Sequence, residues 1–359
     1  MKKFLLHPIT ITTILTILTF LLPYMVPAEA VPVWSDKELR DKALDLNMLP
    51  TPKTYKELLK VVDNPENRLS REKIALGKKL FFDNRLSRDK TINCSSCHNL
   101  EEGGDDNKPA AIGFKGRVNP HHLNSPTVLN AALAKSEFWD GRAKDVEEQA
   151  GGPVQAPFEM NMTPKEVESR LNKDSALKAE FKKIFGKNEI VFSDVQKAIG
   201  AYERTLLTRG AYDEFLDGNN SAISASAKRG MTLFMSKGCK GCHTGMSVGG
   251  QLVEMFPLKY YFVDYVGVLL NPKLSIKDNP YPFENLGHYY GKDDRQLFRV
   301  PILRNITKTA PYFHNGSVKD IKEAVRIMSK YQLGDEFNKE QIKDVVEFLK
   351  TLEGKIVEY

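Results

Sequence analysis

The sequence predicts a mainly α-helical chain organised as two related halves, and three observations predict it. Apolar residues recur at helical spacing through much of the chain, and strands of convincing length are absent. One short pattern also occurs twice, as Gly77-Lys78-Lys79-Leu80-Phe81 and Gly230-Met231-Thr232-Leu233-Phe234. A glycine inside a helix costs about 1 kcal/mol against alanine, so its use in both copies predicts that another backbone or ring packs closely there. A repeat of this kind is a strong organising clue.

In chain order, the first thirty residues read as an export signal. Lys2 and Lys3 precede an apolar stretch, Ile9 to Met25, and Ala28-Glu29-Ala30 suits signal peptidase. An uncleaved anchor is the rival reading, but the stretch is short of the about 20 apolar residues a span needs. Export makes the expected compartment periplasmic, with a mature chain from about Val31. Ser70 is the expected cap of the first Gly-x-x-Leu-Phe helix, and Ser224 or Ser226 of the second. Further helices are predicted over Thr163–Phe185, Ser193–Thr208, Lys319–Lys330 and Lys339–Leu352. Leu100–Ser125 and Gly245–Phe298 are non-periodic and rich in glycine and proline, hence long loops. Asp, Gly, Asn and Ser cluster in Leu216–Ser226, which places domains at 31–218 and 219–359, with the last helix free to pack back on the first domain.

The formal charge is +6, with lysines spread along the whole chain. No basic block or aromatic-basic alternation occurs, which excludes nucleic acid as the expected partner. The cysteines are more specific. The chain has four, and each lies in a Cys-x-x-Cys-His segment: Cys94, Cys97, His98 and Cys239, Cys242, His243. That signature attaches haem c through two thioethers and presents the adjacent imidazole to iron. Two covalent haems in a helical chain predict two cytochrome c-like domains with long haem-wrapping loops.

His98 and His243 are then the proximal ligands, and the sixth ligand sets the chemistry. A methionine suits electron transfer, whereas an open or weakly held position suits oxygen chemistry. Met328, on a predicted helix after the second motif, is the candidate for the second haem. For the first, the remaining histidines are His121, His122, His288 and His314. His121 and His122 stand in the loop just after the first motif, which suits a mobile ligand.

Several ordered segments resemble the bacterial di-haem cytochrome c peroxidases: Trp139-Asp140-Gly141-Arg142-Ala143, Gln149, Gly152-Pro153, Glu159-Met160, Phe298-Arg299, Leu303-Arg304-Asn305-Ile306 and Ala310-Pro311-Tyr312-Phe313-His314. The resemblance runs from about Leu69 to Gly354. It implies that the C-terminal haem, with His243 and Met328, takes electrons from a small c-type cytochrome or a cupredoxin. The N-terminal haem would reduce hydrogen peroxide to water. Trp139 matches the tryptophan between the haems, Glu159 the distal-pocket glutamate and Gln149 a pocket glutamine. A homodimer is implied, as is one calcium ion on Asn124 and the backbone carbonyls near Val300 and Ile302. His314 matches a position beside the second haem and is read as structural; His288 has no functional case.

The chain departs from the family at Phe114, where many members carry the distal histidine after Ile-Gly. Either the ligand has moved within the loop, to His122 in preference to His121, or the first haem is five-coordinate. Reductive activation depends on which holds. A glutamate in an apolar haem pocket protonates more readily than in water, so Glu159 could shuttle a proton between the two peroxide oxygens. A di-haem electron carrier without peroxidase activity is the main alternative; it has no use for Glu159 or Gln149. A second is the related enzyme that oxidises residues of a partner protein during cofactor maturation, which carries Tyr where Met328 stands.

Overall fold

Side-chain oxygens ahead of apolar runs begin most of the helices, because they satisfy amides that the first turn leaves free. The computed structural model describes residues 31–258 and 281–359. Its helices are α1 (Asp36–Asp45), α2 (Tyr55–Val62), α3 (Arg71–Phe81), α4 (Val146–Gln155), α5 (Pro164–Leu171), α6 (Ser175–Phe185), α7 (Phe192–Glu203), α8 (Ala211–Leu216), α9 (Ala225–Ser236), α10 (Ile321–Ile327) and α11 (Lys339–Thr351). Two short antiparallel pairs complete it: β1 (Thr208–Gly210) with β4 (Gly354–Ile356), and β2 (Val253–Met255) with β3 (Leu297–Arg299). The fold is thus mainly α. The described residues from Trp34 to Tyr359 form one compact unit.

Ser70 caps α3 by accepting from the Lys73 amide, and Ser224 caps α9 by accepting from the Ala227 amide. The predicted Thr163–Phe185 helix is two helices, because the Asp174 carboxylate accepts the amides of Ala176 and Leu177 and starts a new one. The predicted Ser193–Thr208 helix ends at Glu203, and the following residues turn into β1. α10 stops at Ile327 and continues as a single π turn, Met328–Gln332. α4 contains Gly151, Gly152 and Pro153, poor helix formers that hid it from periodicity. It exists because α7 packs on it: a Cβ on Gly151 would meet Gln196, and one on Gly200 would meet Glu147. The predicted export signal and part of the predicted Gly245–Phe298 loop lie outside the described residues. Among those described, no helix is long and apolar enough to cross a membrane.

The repeated glycines do what their cost predicted. α3 crosses α7 where a Cβ on Gly77 would sit 1.9 Å from the Ala198 carbonyl oxygen. α9 crosses α11 where one on Gly230 would sit 1.8 Å from the Asp344 carbonyl oxygen. Any side chain at either place would force the helices apart, and with them the pockets beneath. Around the first crossing, Leu76, Leu80, Phe81, Val195, Ile199 and Tyr202 form one core. Around the second, Phe234, Val345, Phe348 and Leu349 join Leu39 of α1 and Tyr212 and Phe215 of α8.

A second repeat, at one constant spacing, follows each haem motif. Pro126 and Asn130 correspond to Pro301 and Asn305, Trp139-Asp140-Gly141 to His314-Asn315-Gly316, and Asp145 to Asp320. The backbone repeats with it. Asn130 and Asn305 both have φ 62°, Phe138 and Phe313 both 67°, and the glycines 67° and 61°. Asp145 caps α4 and Asp320 caps α10. The two asparagines meet at one buried threonine: each donates its side-chain amide to the Thr208 hydroxyl, at 2.9 and 3.0 Å. Strand β1 therefore lies where the two copies meet.

Candidate haem centres

Each Cys-x-x-Cys-His segment opens on a 3-10 turn, Cys94–Ser96 and Cys239–Gly241. That turn lets the amides of His98 and His243 donate to the carbonyls of Cys94 and Cys239, at 3.1 and 2.9 Å. The segment is thereby wound so that both cysteines and the imidazole can serve one haem. Nδ1 of His98 lies 3.1 Å from the Gly104 carbonyl, which can only accept, so Nδ1 carries the proton and Nε2 keeps its lone pair for iron. Nδ1 of His243 is buried and has no well-aligned partner, although the Val248 and Pro301 carbonyls face it. Burial holds both rings neutral, His243 down to about 4. Neutral imidazole is the form that binds iron.

The second centre is a cavity of about 1620 Å³ including its mouth. Cys239, Cys242, His243 and Met328 all line it, with apolar walls that include Phe256, Phe298, Ile302 and Leu349. The structure therefore brings both predicted axial ligands of the second haem to one cavity. Met328 stands at the α10 end, where the π turn begins; such turns are frequent at functional sites. Arg299 also faces this cavity, 3 % exposed, and its Nη1 is buried without a partner. A buried guanidinium nitrogen left unpaired costs free energy, and a haem propionate is the anion that fits it. The set of two cysteines, imidazole, thioether, apolar walls and orphaned cation fits haem c. The assignment of Arg299 escaped sequence reasoning, since a lone arginine in a motif carries no sign of where it points.

Trp139 lies in the wall of the same cavity, its indole N–H donating to the Asn124 carbonyl at 2.8 Å and its ring edge-on to His314 at 6.4 Å. His314 is buried and held neutral, stacked on Phe298 at 4.6 Å. Asn124, Val300 and Ile302, the expected calcium ligands, line this cavity too. The Asn124 amide donates to the carbonyl of Lys108 at 2.8 Å, and the Val300 carbonyl accepts from the Gly250 amide at 2.8 Å.

The first centre is built from α3, α7 and the end of α4. After α4 the chain turns back, with the Glu159 amide donating to Ala156 and the Met160 amide to Pro153. This return puts Glu159 within electrostatic range of Cys97. Desolvation raises the Glu159 carboxyl to about 6, with the Arg142 charge opposing. Gln149, half-buried, lies one turn before Pro153 on the same face of α4. Phe114 is buried, 6 % exposed, and its amide donates to the Glu159 carbonyl at 2.6 Å. His121 and His122 make their contacts elsewhere. Nδ1 of His122 pairs with the Asn315 carbonyl at 3.2 Å, the His121 ring lies 5.8 Å from that of Tyr289, and a Cβ on Gly287 would strike the backbone between them.

The second repeat adds what sequence reasoning missed. Carried one step past its asparagines and caps, the spacing that relates Asp145 to Asp320 relates Pro153 to Met328. The helix that offers a thioether in the second half offers a proline ring in the first. Comparing the segments after Pro126 and Pro301 would have revealed this.

Family models for di-haem cytochrome c peroxidase and for cytochrome c match residues 71–221 and 227–353. The chain is 39% identical to a cytochrome c551 peroxidase of Pseudomonas aeruginosa over 91% of its own length and 89% of the relative's. It is 40% identical to a cytochrome c551 peroxidase of Nitrosomonas europaea over 78% and 79%. Among solved structures, a MauG-like protein associated with microbial copper homeostasis matches 81% of this chain and 92% of its own, with TM-score 0.67 and 25% identity. The chain, with two cytochrome c-type domains and two haem c groups, belongs to the di-haem cytochrome c peroxidase family.

Proposed function

We propose that this protein reduces hydrogen peroxide to water in the periplasm, after cleavage of its export signal, with electrons from a small c-type cytochrome or a cupredoxin. His243 and Met328 would hold the C-terminal haem, which would supply electron acceptance, and His98 would hold the N-terminal haem, which would supply the site for peroxide. One observation carries this division: Met328 has Pro153 as its counterpart, so the N-terminal helix offers no thioether at the matching position. The haems supply electron storage and the open iron position. Glu159 takes a proton from the nearer peroxide oxygen and returns it to the departing one. Held near 6, it is mostly carboxylate at pH 7, yet basic enough to exchange protons readily. Gln149 orients the bound peroxide from the α4 face. Trp139, in the wall of the second cavity, is the route between the haems. Asn124, with the Val300 and Ile302 carbonyls, holds calcium, and the assembly is a homodimer.

The same observation bears on activation. Phe114 occupies the distal segment against Glu159, and His122 is tied to Asn315, which supports a five-coordinate N-terminal haem with no histidine gate. The test is peroxide reduction by oxidised and by half-reduced holoprotein, beside His122→Gly. Equal activity in all forms supports an ungated peroxidase. Activity only after half-reduction, with His122→Gly active at once, makes His122 the gate. Inactivity in every form, with both haems loaded and calcium present, replaces the proposal with an electron carrier.

A further inference from the structure

Behind the first centre, three carboxylates are buried together: Glu137, Glu147 and Glu203 are 6, 9 and 5 % exposed. They share two arginines. Arg204 binds Glu147 at 2.7 Å, with Asn67 also donating to Glu147 at 2.9 Å. Arg299 approaches Glu137 at 3.9 Å. Among the described residues Glu203 has no ion-pair partner. The surroundings are mostly acidic. Glu203 faces Glu137 and Glu147, with the Tyr202 hydroxyl and Cys94 also in range. Glu137 faces Arg299, Asp145 and Glu203. Glu147 faces Arg204, Asn67 and Lys73.

Two links place this cluster between the haem centres. At one end Glu203 feels Cys94, an attachment point of the N-terminal haem. At the other, Arg299, which lines the C-terminal cavity, brings one nitrogen to 3.9 Å from Glu137 and keeps its buried Nη1 unpaired. The order is therefore Cys94, Glu203, Glu137, Arg299 and the second cavity. Arg299 also donates its backbone amide to the Trp139 carbonyl at 2.7 Å, so the cluster adjoins the segment that carries Trp139. A third buried acid beside two arginines leaves one negative charge unmatched, and an unpaired buried charge is neutralised by a proton more readily than it is tolerated. Burial pushes Glu137 up to about 7 and Glu203 well above the carboxylate range.

We propose that the Glu203–Glu137 pair is a redox-linked proton site, which takes one proton from water when the haem on Cys94 and Cys97 gains an electron. The positive charge of an oxidised haem core favours the ionised pair; the added electron cancels that charge, and the proton then binds a carboxylate oxygen. On reoxidation the proton leaves the carboxylate. Peroxide reduction consumes two electrons and two protons, so this pair stores a proton beside a stored electron. The inference needs only that haem is bound at Cys94 and Cys97, and stands whichever haem meets peroxide.

The test is an optical redox titration of the holoprotein across the neutral pH range, with each haem followed at its own band. One proton per electron changes the oxidised-to-reduced ratio about tenfold per pH unit, about 59 mV for a one-electron couple. The N-terminal haem of the unaltered protein should show a slope of this kind. Glu203→Gln should flatten it there and leave the C-terminal haem unchanged, whereas the surface control Glu148→Gln should alter neither. An undiminished slope in both Glu203→Gln and Glu137→Gln, with both haems loaded, overturns the proposal. Where Glu203→Gln fails to load haem, proton uptake by unaltered protein on electrochemical reduction in weakly buffered solution, read with a pH dye, decides instead. Uptake near one proton supports the site, and none removes it.

Discussion

The two halves of this chain share a scaffold and differ in what closes it. Both cross a glycine helix over a partner backbone, both follow the haem motif with a left-handed asparagine, and both start the next helix with an aspartate cap. In the second half that helix runs into the π turn at Met328, which lines a cavity with His243. In the first, the matching position is Pro153, and a loop beyond it delivers Glu159. On the function proposed above, one scaffold would hold either an electron carrier or a reactive centre, depending on a single position and the segment after it. A strong axial ligand restrains iron to electron transfer, and its absence leaves room for substrate.

Removing the reactive half's acid should produce the largest effect. Glu159→Gln is expected to lower kcat about 10²–10⁴-fold, the usual worth of a positioned general acid–base, while haem loading and both haem spectra stay as they were. A fall of less than tenfold would show that the halves are not divided by this residue.

Next comes a stabilising pair that the first half lacks. Arg304 corresponds to Leu129 in the repeat, and it is buried, 1 % exposed, against Asp213 at 2.9 Å. Asp213 also accepts the amides of Thr51 and Gly210. Breaking one partner of a buried pair costs about 3–5 kcal/mol, so Asp213→Ala should lower the denaturant midpoint sharply. Little change would mean that the second half does not depend on this tie.

The shared crossing predicts a matched loss. Gly77→Ala and Gly230→Ala each drive a methyl into a carbonyl, and overpacking of this kind costs about 1–3 kcal/mol. Each variant should lose stability and haem attachment in its own half. Unequal losses, measured by unfolding and by haem content, would show which crossing matters more.

The smallest effect is in the pH profile. Glu159 is raised from its ordinary 4.5 to about 6, so its basic form declines as pH falls through about 6. Peroxidase kcat/KM should therefore have an acid limb near 6 rather than near 4.5, and Glu159→Gln should lose that limb. Electron uptake at the C-terminal haem, which uses no such carboxylate, should not follow it.

The legible parts of this protein are the contiguous ones. Cys94 to His98 and Cys239 to His243 declare their chemistry because thioether attachment and the proximal ligand need residues a few positions apart. Gly77 and Gly230 declare a close crossing because a helix does not otherwise tolerate them well. Ser70 was readable as a cap for the same local reason, and so was the pair Ser224 or Ser226, of which the structure uses Ser224. α4 was not, since Gly151, Gly152 and Pro153 oppose a helix locally and only α7 packed against it makes one. Likewise the single predicted helix over Thr163–Phe185 hid the Asp174 cap inside it.

By itself, then, the sequence determined two covalent haems, a mainly α scaffold and the family. Tertiary structure alone decided that Arg299, with a buried unpaired nitrogen, lines the Met328 cavity and that Asn130 and Asn305 converge on Thr208. It also decided that Glu137 and Glu203 lie buried beside each other's charge. The physical reason is that ionisation and pairing depend on desolvation and on neighbours far away in the chain. Those neighbours are fixed only when the two cores close.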